Sequence, residues 1–272
     1  MTTRRLPARL VLLGSQVGDS LSPTFQRAAL AAAGIRLSYD ALDVAPDHLP
    51  AVIEQIRLEN VAGNVTRPHK TDFHDACDVL TPIARRVGAV NTFWMEGDRL
   101  HGDNTDVDGF EFAARELLGG EISGVQVLLL GAGGAAAAVL AAIERWPGGR
   151  ARVGVVSRTP ARAALLAGRY PDVARVETDP RRAAAHARLI VNATPVGQHD
   201  DLHPLEVSAI PREAAVLDLV CRRGETQWIR ALRARGNAAR DGMAMLLEQG
   251  ALSFRQWFRV EPDRAAMRES LL

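Results

Sequence analysis

The chain has 272 residues, of which 47% are hydrophobic, and its formal net charge is +1. This length provides the core of one large domain or of two ordinary ones, and the interspersed charges exclude the basic field of a nucleic-acid or membrane-surface protein. Two cysteines, Cys77 and Cys221, make no disulfide framework or metal site and fit a reducing compartment. We therefore expect a soluble, cytoplasmic protein that binds no nucleic acid, membrane or metal.

Strands and helices alternate along the whole chain. In the first part, the predicted strands are 10–14, 37–44, 63–66, 89–95 and 99–106, and the predicted helices are 24–34, 48–59, a single turn at 83–88 and 110–118. In the second part, the predicted strands are 125–130, 152–157, 188–194 and 215–220, and the predicted helices are 133–145, 160–168, 226–234 and 243–258. Repeated βα units predict an α/β fold with parallel sheets, and the new series after Asp106 predicts two domains with a cleft between them.

A glycine-rich turn in the second part indicates a nucleotide site. The almost entirely apolar strand 125–130 runs directly into Gly131-Ala132-Gly133-Gly134-Ala135-Ala136 and then into a helix. This is the G-x-G-x-x-A form of the dinucleotide fingerprint, whose glycines permit a tight turn and close approach of a pyrophosphate to the helix N-terminus. Glycines in such turns can also serve packing alone, but the strand–turn–helix setting favours a Rossmann-type doubly wound domain.

The end of the following strand indicates which dinucleotide binds. A cofactor without a 2′-phosphate usually meets an acidic residue there. This chain instead has Ser157-Arg158-Thr159, followed by Arg162. Two guanidiniums and two hydroxyls suit a phosphate group, although exposed arginines are common in so arginine-rich a chain. The pattern favours NADP(H) over NAD(H).

Lys70 is the only lysine among the 33 Lys and Arg residues. Arginine stays charged, whereas a lysine ammonium can give up its proton when burial or its neighbours favour the neutral form. A single lysine in such a chain indicates either a position where a proton is exchanged or a chance remnant, and this fact alone does not decide between the two.

These features, taken together, resemble the shikimate dehydrogenase family over nearly the full length. The segments that match in order and at compatible spacing are SLSP (20–23), NVTRPHK (64–70), GAVNT (88–92), NTD (104–106), GAGGA (131–135), SRTPAR (157–162), NATPVG (192–197), DLVCRRGET (218–226) and GMAMLLEQGALSF (242–254). The resemblance implies reversible NADP-dependent oxidation of shikimate to 3-dehydroshikimate, a step of aromatic amino-acid biosynthesis in the chorismate pathway. It also implies an open α/β substrate domain at 1–106, completed by the C-terminal helices 243–272, and an NADP-binding Rossmann domain at 107–242.

The resemblance assigns catalysis to Lys70 and Asp106. Oxidation of a secondary alcohol needs a general base within hydrogen-bond reach of the hydroxyl, and arginine could not serve because it cannot lose its proton. Asp106 would hold and polarise the ammonium, so that the pair shares the transfer of the proton. A purely structural ion pair is the alternative.

The remaining site residues follow from the same resemblance. The expected substrate-binding residues are Ser20 and Ser22 for the carboxylate, and Asn64, Thr66, Asn91, Cys221 and Gln249 for the rest of the ligand. The expected cofactor-binding residues are Gly131, Ala132, Gly133, Gly134, Ala135, Ser157, Arg158, Thr159, Arg162, Thr194, Leu219 and Gly242. The serines could instead cap the helix that begins near Pro23. We expect Thr92 and Thr105 to be structural, and His69 and His74 to lie at the surface.

Two departures from the family pattern leave alternatives open. The family usually has His where this chain has Asp19, and its substrate-contacting Tyr falls at Cys221. A missing hydrogen bond of about 1 kcal/mol would weaken shikimate binding, or favour quinate or an amino analogue. A paralogue that binds NADP(H) as a sensor without turnover is a further alternative, whereas the SLSP and NTD segments disfavour the related folate and amino-acid dehydrogenases. The sequence allows a monomer or a homodimer.

Overall fold

The computed structural model describes residues 6–147 and 152–272 of the chain. These residues form two compact units. One contains the residues up to Asp106 together with Leu247–Leu272, and the other contains Val107–Leu246. No helix in the described part of the chain combines the length and the apolar character needed to cross a membrane.

Strands and helices alternate along most of the chain. The strands are β1 (Leu10–Gly14), β2 (Tyr39–Asp43), β3 (Ala62–Val65), β4 (Val79–Leu80), β5 (Thr92–Glu96), β6 (Arg99–Asp103), β7 (Gln126–Leu130), β8 (Arg152–Val156), β9 (Ala174–Val176), β10 (Leu189–Asn192), β11 (Ala215–Asp218) and β12 (Ala239–Asp241). The helices are α1 (Ser22–Ala32), α2 (Leu49–Glu59), α3 (Lys70–Ala76), α4 (Pro82–Val87), α5 (Asp106–Leu117), α6 (Gly134–Glu144), α7 (Pro160–Gly168), α8 (Pro180–Ala184), α9 (Gln227–Ala234), α10 (Met243–Phe258) and α11 (Arg264–Glu269). Short 3₁₀ turns cover Pro46–His48 and Val207–Ala209.

The first unit is built on a mixed six-stranded sheet in the order β2-β1-β3-β5-β6-β4. The β1–β2, β1–β3 and β4–β6 pairs are parallel, whereas β5 runs antiparallel to both neighbours because a tight turn at Gly97 joins it to β6. Buried side chains of α2, α3 and α4 pack against strand residues to form the core. Phe73 of α3 contacts Phe93 of β5 with ring centroids 4.6 Å apart, and removal of such a ring costs about 3–5 kcal/mol. This contact fixes α3, and with it Lys70 one turn earlier.

The second unit is a fully parallel six-stranded sheet in the order β12-β11-β10-β7-β8-β9. The strand order reverses between β7 and β10, and this is the doubly wound arrangement in which a dinucleotide binds at the carboxyl ends of the strands. The β7 strand is buried after its first residue, as expected for a central strand covered on both faces. The side chains of Trp228, Ile229 and Leu232 anchor α9 on the sheet.

The α/β class with a Rossmann-type unit is confirmed, and the differences in detail have local causes. The helix α3 and the strands β4, β9 and β12 were not expected, because each is short and carries no clear hydrophobic period. Helix α5 begins at Asp106 rather than near Phe110, since Asn104 Oδ1 accepts the Asp106 amide at 3.2 Å. The predicted bounds of α10 agree with those observed.

Candidate active site

Lys70 and Asp106 form an ion pair inside the first unit. Each is the first residue of a helix, α3 and α5 respectively. Lys70 Nζ lies 2.6 Å from Asp106 Oδ2, and the two side chains are only 17% and 9% exposed. A lysine and a carboxylate this close and this shielded from water can pass a proton to or from a ligand hydroxyl.

Asn91 holds the other oxygen of this carboxylate. Its Nδ2 donates to Asp106 Oδ1 at 2.8 Å and to Thr105 Oγ1 at 2.9 Å. Its Oδ1 accepts the Thr105 amide at 2.8 Å, which determines the orientation of the Asn91 amide group. With one oxygen bonded to Asn91 and the other to Lys70, the Asp106 carboxylate has a single orientation.

Asn64 belongs to the same buried network. Its Nδ2 donates to the Asn91 carbonyl and to Ser253 Oγ, both at 3.0 Å, and its Oδ1 accepts the Tyr39 hydroxyl at 2.8 Å. Burial raises the pKa of Tyr39 far above its usual range, so the phenol remains a donor. Because both N–H groups of Asn64 are used by the protein, a ligand can reach this side chain only through the free lone pair of Oδ1.

The C-terminal helix α10 closes this network. Ser253 Oγ donates to the Gln249 carbonyl at 2.9 Å and lies 3.2 Å from Thr105 Oγ1. Gln249 Oε1 accepts from Asn91 Nδ2 at 3.3 Å, so the residue predicted from α10 contacts the asparagine that holds Asp106. Thr105 takes part in this network, and the Thr92 hydroxyl donates to the Gly63 carbonyl at 3.3 Å, so both make the internal contacts that a structural role requires.

Ser20 and Ser22 lie at the start of α1. The alternative role of Ser22 as a helix cap is wrong, because α1 begins at Ser22 and its N-cap is Leu21, which makes no side-chain bond. Ser20 Oγ instead accepts the Ser22 amide at 3.2 Å. Gln26, one turn further along α1, donates to the Gly250 carbonyl at 2.9 Å and thereby joins the serine-bearing helix to α10 beside Gln249.

The stretch before Lys70 differs from expectation at one residue. Thr66 packs its methyl group over Gly14, where a Cβ would lie 2.4 Å from Thr66 Cγ2. His69 was expected at the surface, and this is wrong. The ring is fully buried, with Nε2 2.7 Å from the Val44 carbonyl, so it fastens the start of α3 to the loop after β2. His74, which was also expected at the surface, is partly buried, and its side chain is 19% exposed.

The turn after β7 in the second unit has the features that a pyrophosphate requires. Gly131 has φ +118°, and a Cβ there would lie 2.8 Å from the Ala193 carbonyl oxygen. Gly133 is the N-cap of α6 and makes no side-chain bond, and no described atom lies within 4 Å of a Cβ built on it. The first amides of α6, at Gly134 and Ala135, have no acceptor within the helix, and such amides can bind an anion.

The end of β8 carries the predicted phosphate-recognising residues. Ser157 Oγ accepts the Thr159 amide at 3.3 Å, and Thr159 is the N-cap of α7. The side chains of Arg158 and Arg162 are both exposed on this short stretch. Two exposed guanidiniums next to a helix N-terminus can bind a phosphate monoester.

The remaining cofactor candidates lie at the ends of β10, β11 and β12. Thr194 donates to Asn192 Oδ1 at 2.6 Å, and the Leu219 amide donates to the Asn192 carbonyl at 2.9 Å. Gly242 packs against Leu219 and Cys221, since a Cβ there would lie 2.9 Å from the carbonyl oxygen of Leu219 and from Cys221 Sγ. Among the described residues, no three His, Cys, Asp or Glu side chains are arranged to hold a metal ion.

Three polar residues of these networks were not predicted: Tyr39, Ser253 and Asp218. Ser253 lies four residues after Gln249 on the same helix, so the reasoning that a buried polar residue needs a partner would have found it. Asp218 ends an all-apolar strand and is fully buried. Tyr39 carries no sequence signal beyond its place in a strand.

Comparison with known proteins gives a consistent result. Residues 12–93 match the shikimate dehydrogenase substrate binding domain, and residues 242–272 match the shikimate 5′-dehydrogenase C-terminal domain. Shikimate dehydrogenase (NADP⁺) of Symbiobacterium thermophilum is 40% identical, over 94% of this chain and 91% of the relative. The corresponding protein of Rubrobacter xylanophilus is 42% identical, over 96% and 94%. The crystal structure of shikimate 5-dehydrogenase from Thermus thermophilus, in complex with NADP(H) and shikimate, superposes with a TM-score of 0.87 at 38% identity and covers 97% of this chain and 98% of that one.

Proposed function

The chain belongs to the shikimate dehydrogenase family, and on this basis we propose that it catalyses the reversible NADP-dependent oxidation of shikimate to 3-dehydroshikimate. The reaction is a step of aromatic amino-acid biosynthesis. The observation that carries the proposal is the Lys70–Asp106 pair, because it places a lysine and a carboxylate in contact inside the substrate-side unit.

The pair performs the proton transfer of this reaction. Lys70 accepts the proton of the hydroxyl that is being oxidised, and NADP⁺ held by the second unit would supply the hydride acceptor. Asp106 then stabilises the new ammonium through the 2.6 Å contact. In the reverse direction Lys70 returns the proton to the carbonyl oxygen. Asn91 keeps the carboxylate aligned in both directions by its bond to Asp106 Oδ1.

The substrate-side residues divide into donors and acceptors. Ser20 and Ser22 at the start of α1 provide hydroxyl donors for the carboxylate of shikimate. Asn64 offers an acceptor lone pair to a ring hydroxyl, since its own N–H groups are already bonded to Asn91 and Ser253. Thr66 and Gln249 complete the set, with Gln249 held against Asn91.

The second unit fits NADP(H). The open space at Gly133 and the unpaired first amides of α6 suit the pyrophosphate, and Arg158 and Arg162, with Ser157 and Thr159 beside them, suit the 2′-phosphate. We place the nucleotide domain at 107–242 and the substrate domain at 1–106 with the helices of 243–272. Thr194, Leu219 and Gly242 lie on the loops that would border the nicotinamide half, beyond the point where the strand order reverses.

Cys221 bears on the choice of ring. A cysteine is a weak hydrogen-bond donor, and its Sγ lies 3.7 Å from the Leu219 carbonyl, so it does not replace a phenol. Loss of that hydrogen bond would reduce the affinity for shikimate. The difference between this affinity and that for quinate or an amino analogue would then be smaller. These ligands remain the second candidates.

We further propose that the enzyme works in the cytoplasm as a monomer or homodimer. Neither Cys77 nor Cys221 forms a disulfide bond, which is consistent with a reducing compartment. Burial raises the pKa of Cys77 to about 12, so this thiol stays protonated and unreactive.

The test is direct. The purified chain should reduce NADP⁺ when shikimate is added, as followed by NADPH absorbance, with quinate and NAD⁺ as comparison substrates. Lys70→Arg is the matched inactive control. Binding of NADP(H) without turnover of shikimate, quinate or an amino analogue would instead identify a sensor.

A further inference from the structure

The carboxyl edge of the nucleotide-side sheet contains a second buried carboxylate, Asp218. It ends β11 and is fully buried. Asn192 Nδ2 and the Val220 amide donate to its Oδ1 at 2.8 and 3.1 Å, and the Thr226 hydroxyl donates to its Oδ2 at 2.9 Å. Thr226 Oγ1 itself accepts the Ile229 amide at 3.3 Å, so its proton is available for Asp218.

Asp218 is surrounded by hydrogen-bond donors and has no counter-charge among the described residues. All three partners are donors, which is what an ionised carboxylate requires, since it can only accept. No lysine, arginine or histidine among the described residues forms an ion pair with Asp218. Desolvation raises the pKa of this carboxyl, the hydrogen bonds from Val220, Thr226 and Asn192 oppose that shift, and the charge of Asp241 adds to it. A buried charge that lacks a cation costs stability, so its presence needs a reason.

The position of Asp218 provides that reason. In the sheet register, Leu130 lies beside Asn192, and Asn192 lies beside Asp218. Leu130 immediately precedes the glycine turn, so Asp218 lies two strands, or about 10 Å, from the pyrophosphate site, on the side away from Arg158 and β8. A dinucleotide bound across the reversal of strand order places its adenosine half at β8 and its nicotinamide half at β10 and β11.

We propose that Asp218 is an electrostatic positioning residue that favours the oxidised cofactor. The nicotinamide ring is cationic in NADP⁺ and neutral in NADPH, whereas the phosphates are common to both forms. A buried negative charge at the nicotinamide end of the site therefore tightens binding of NADP⁺ selectively. This inference rests on the proposed function, because it assumes that NADP(H) occupies the second unit.

Asp218→Asn tests the charge while it preserves the contacts. Asn Oδ1 can still accept from Asn192 and Val220, and the new Nδ2 can donate to Thr226 Oγ1. The measurement is the dissociation constant of NADP⁺ and of NADPH for the full chain without substrate, by calorimetry. The NADP⁺ constant should rise about three- to tenfold, the range for one partly screened charge acting on another, while the NADPH constant changes less than about twofold.

Thr226→Val is the matched control, since it breaks one hydrogen bond of Asp218 but leaves the charge. It should change both dissociation constants by the same factor. If Asp218→Asn also changes both equally, Asp218 acts only through the shape of its loops and the inference is overturned.

A measurement on the unmodified chain makes the test independent of whether the variant folds. Salt screens exposed charges and screens buried charges much less. The phosphates are common to NADP⁺ and NADPH, so their contribution cancels in the ratio of the two dissociation constants. The NADP⁺ to NADPH ratio should therefore stay constant from low to high salt, and a several-fold change would overturn the inference. A chain that binds neither nucleotide would refute the proposed function, whereas an altered ratio alone would not.

Discussion

Replacement of Lys70 by arginine separates charge from proton transfer. The variant keeps a cation beside Asp106, and Asn91 continues to hold the second carboxylate oxygen. The larger guanidinium must fit at a position where the Lys70 side chain is only 17% exposed. This crowding should cost no more than about 1–3 kcal/mol of stability. Guanidinium cannot accept the hydroxyl proton, so turnover should fall roughly 10²–10⁴-fold, or about 2.7–5.4 kcal/mol in activation free energy.

The assay is steady-state NADP⁺ reduction with shikimate, together with calorimetric affinity for each ligand. Lys70→Arg should bind NADP⁺ as the wild type does and shikimate within a few-fold. Lys70→Ala should be similarly slow. Asp106→Asn should also lose rate, because the ammonium loses its carboxylate and Asn91 Nδ2 would face an amide in place of an anion. A Lys70→Arg enzyme that turns over at nearly the wild-type rate would refute the base role and leave Lys70 as a chance remnant.

Three further predictions address the cofactor, the substrate and the fold. Arg158→Asp should raise the NADP⁺ KM about 10- to 100-fold, because a charge-assisted phosphate contact contributes about 1.5–3 kcal/mol. The NAD⁺ KM should change little. Equal effects on both KM values would show that Arg158 does not bind the phosphate. Cys221→Tyr should lower the shikimate KM and leave the NADP⁺ KM unchanged, whereas a higher shikimate KM would mean a pocket shaped for another ring. Hydrogen bonds from Arg57 and from the Leu100 amide lower the pKa of Asp78 in the folded chain. This carboxylate therefore stabilises the fold at pH values above its unfolded pKa. The contribution is lost as the pH falls through the lower folded pKa. Asp78→Asn should therefore flatten the acid side of the curve of urea midpoint against pH, and an unchanged slope would contradict this.

The parts of the molecule that were predictable from sequence are those governed by local rules. The strand 125–130 is almost entirely apolar and could only be a buried strand, and the glycines after it fix the turn at Gly131. The bounds of α10 followed from its long apolar period. Composition drew attention to Lys70 as one lysine among many arginines, but only the family resemblance favoured proton exchange over a chance remnant.

The parts that were missed depend on contacts distant in sequence. His69 was expected at the surface because nothing local marks it as buried, and its partner Val44 lies in another loop 25 residues away. The 189 residues that separate Asn64 from Ser253 likewise leave no local pattern. Orientation of side-chain amides follows from such partners, so sequence could suggest Asn64 as a substrate-binding residue but could not show that both its N–H groups are bonded within the protein.

In the proposed mechanism, Asp106 and Asp218 fit the charge balance of the reaction. Oxidation of a neutral alcohol would move one positive charge, which the nicotinamide ring would lose with the hydride and Lys70 would gain with the proton. Asp106 would stabilise the charge gained at Lys70, and Asp218 would stabilise the charge lost from the nicotinamide ring. Their effects on the equilibrium between bound substrates and bound products are therefore opposite in sign. Loss of Asp218 alone should favour bound NADPH, and loss of Asp106 alone should favour bound NADP⁺, so the presence of both keeps the bound reaction close to balance in either direction.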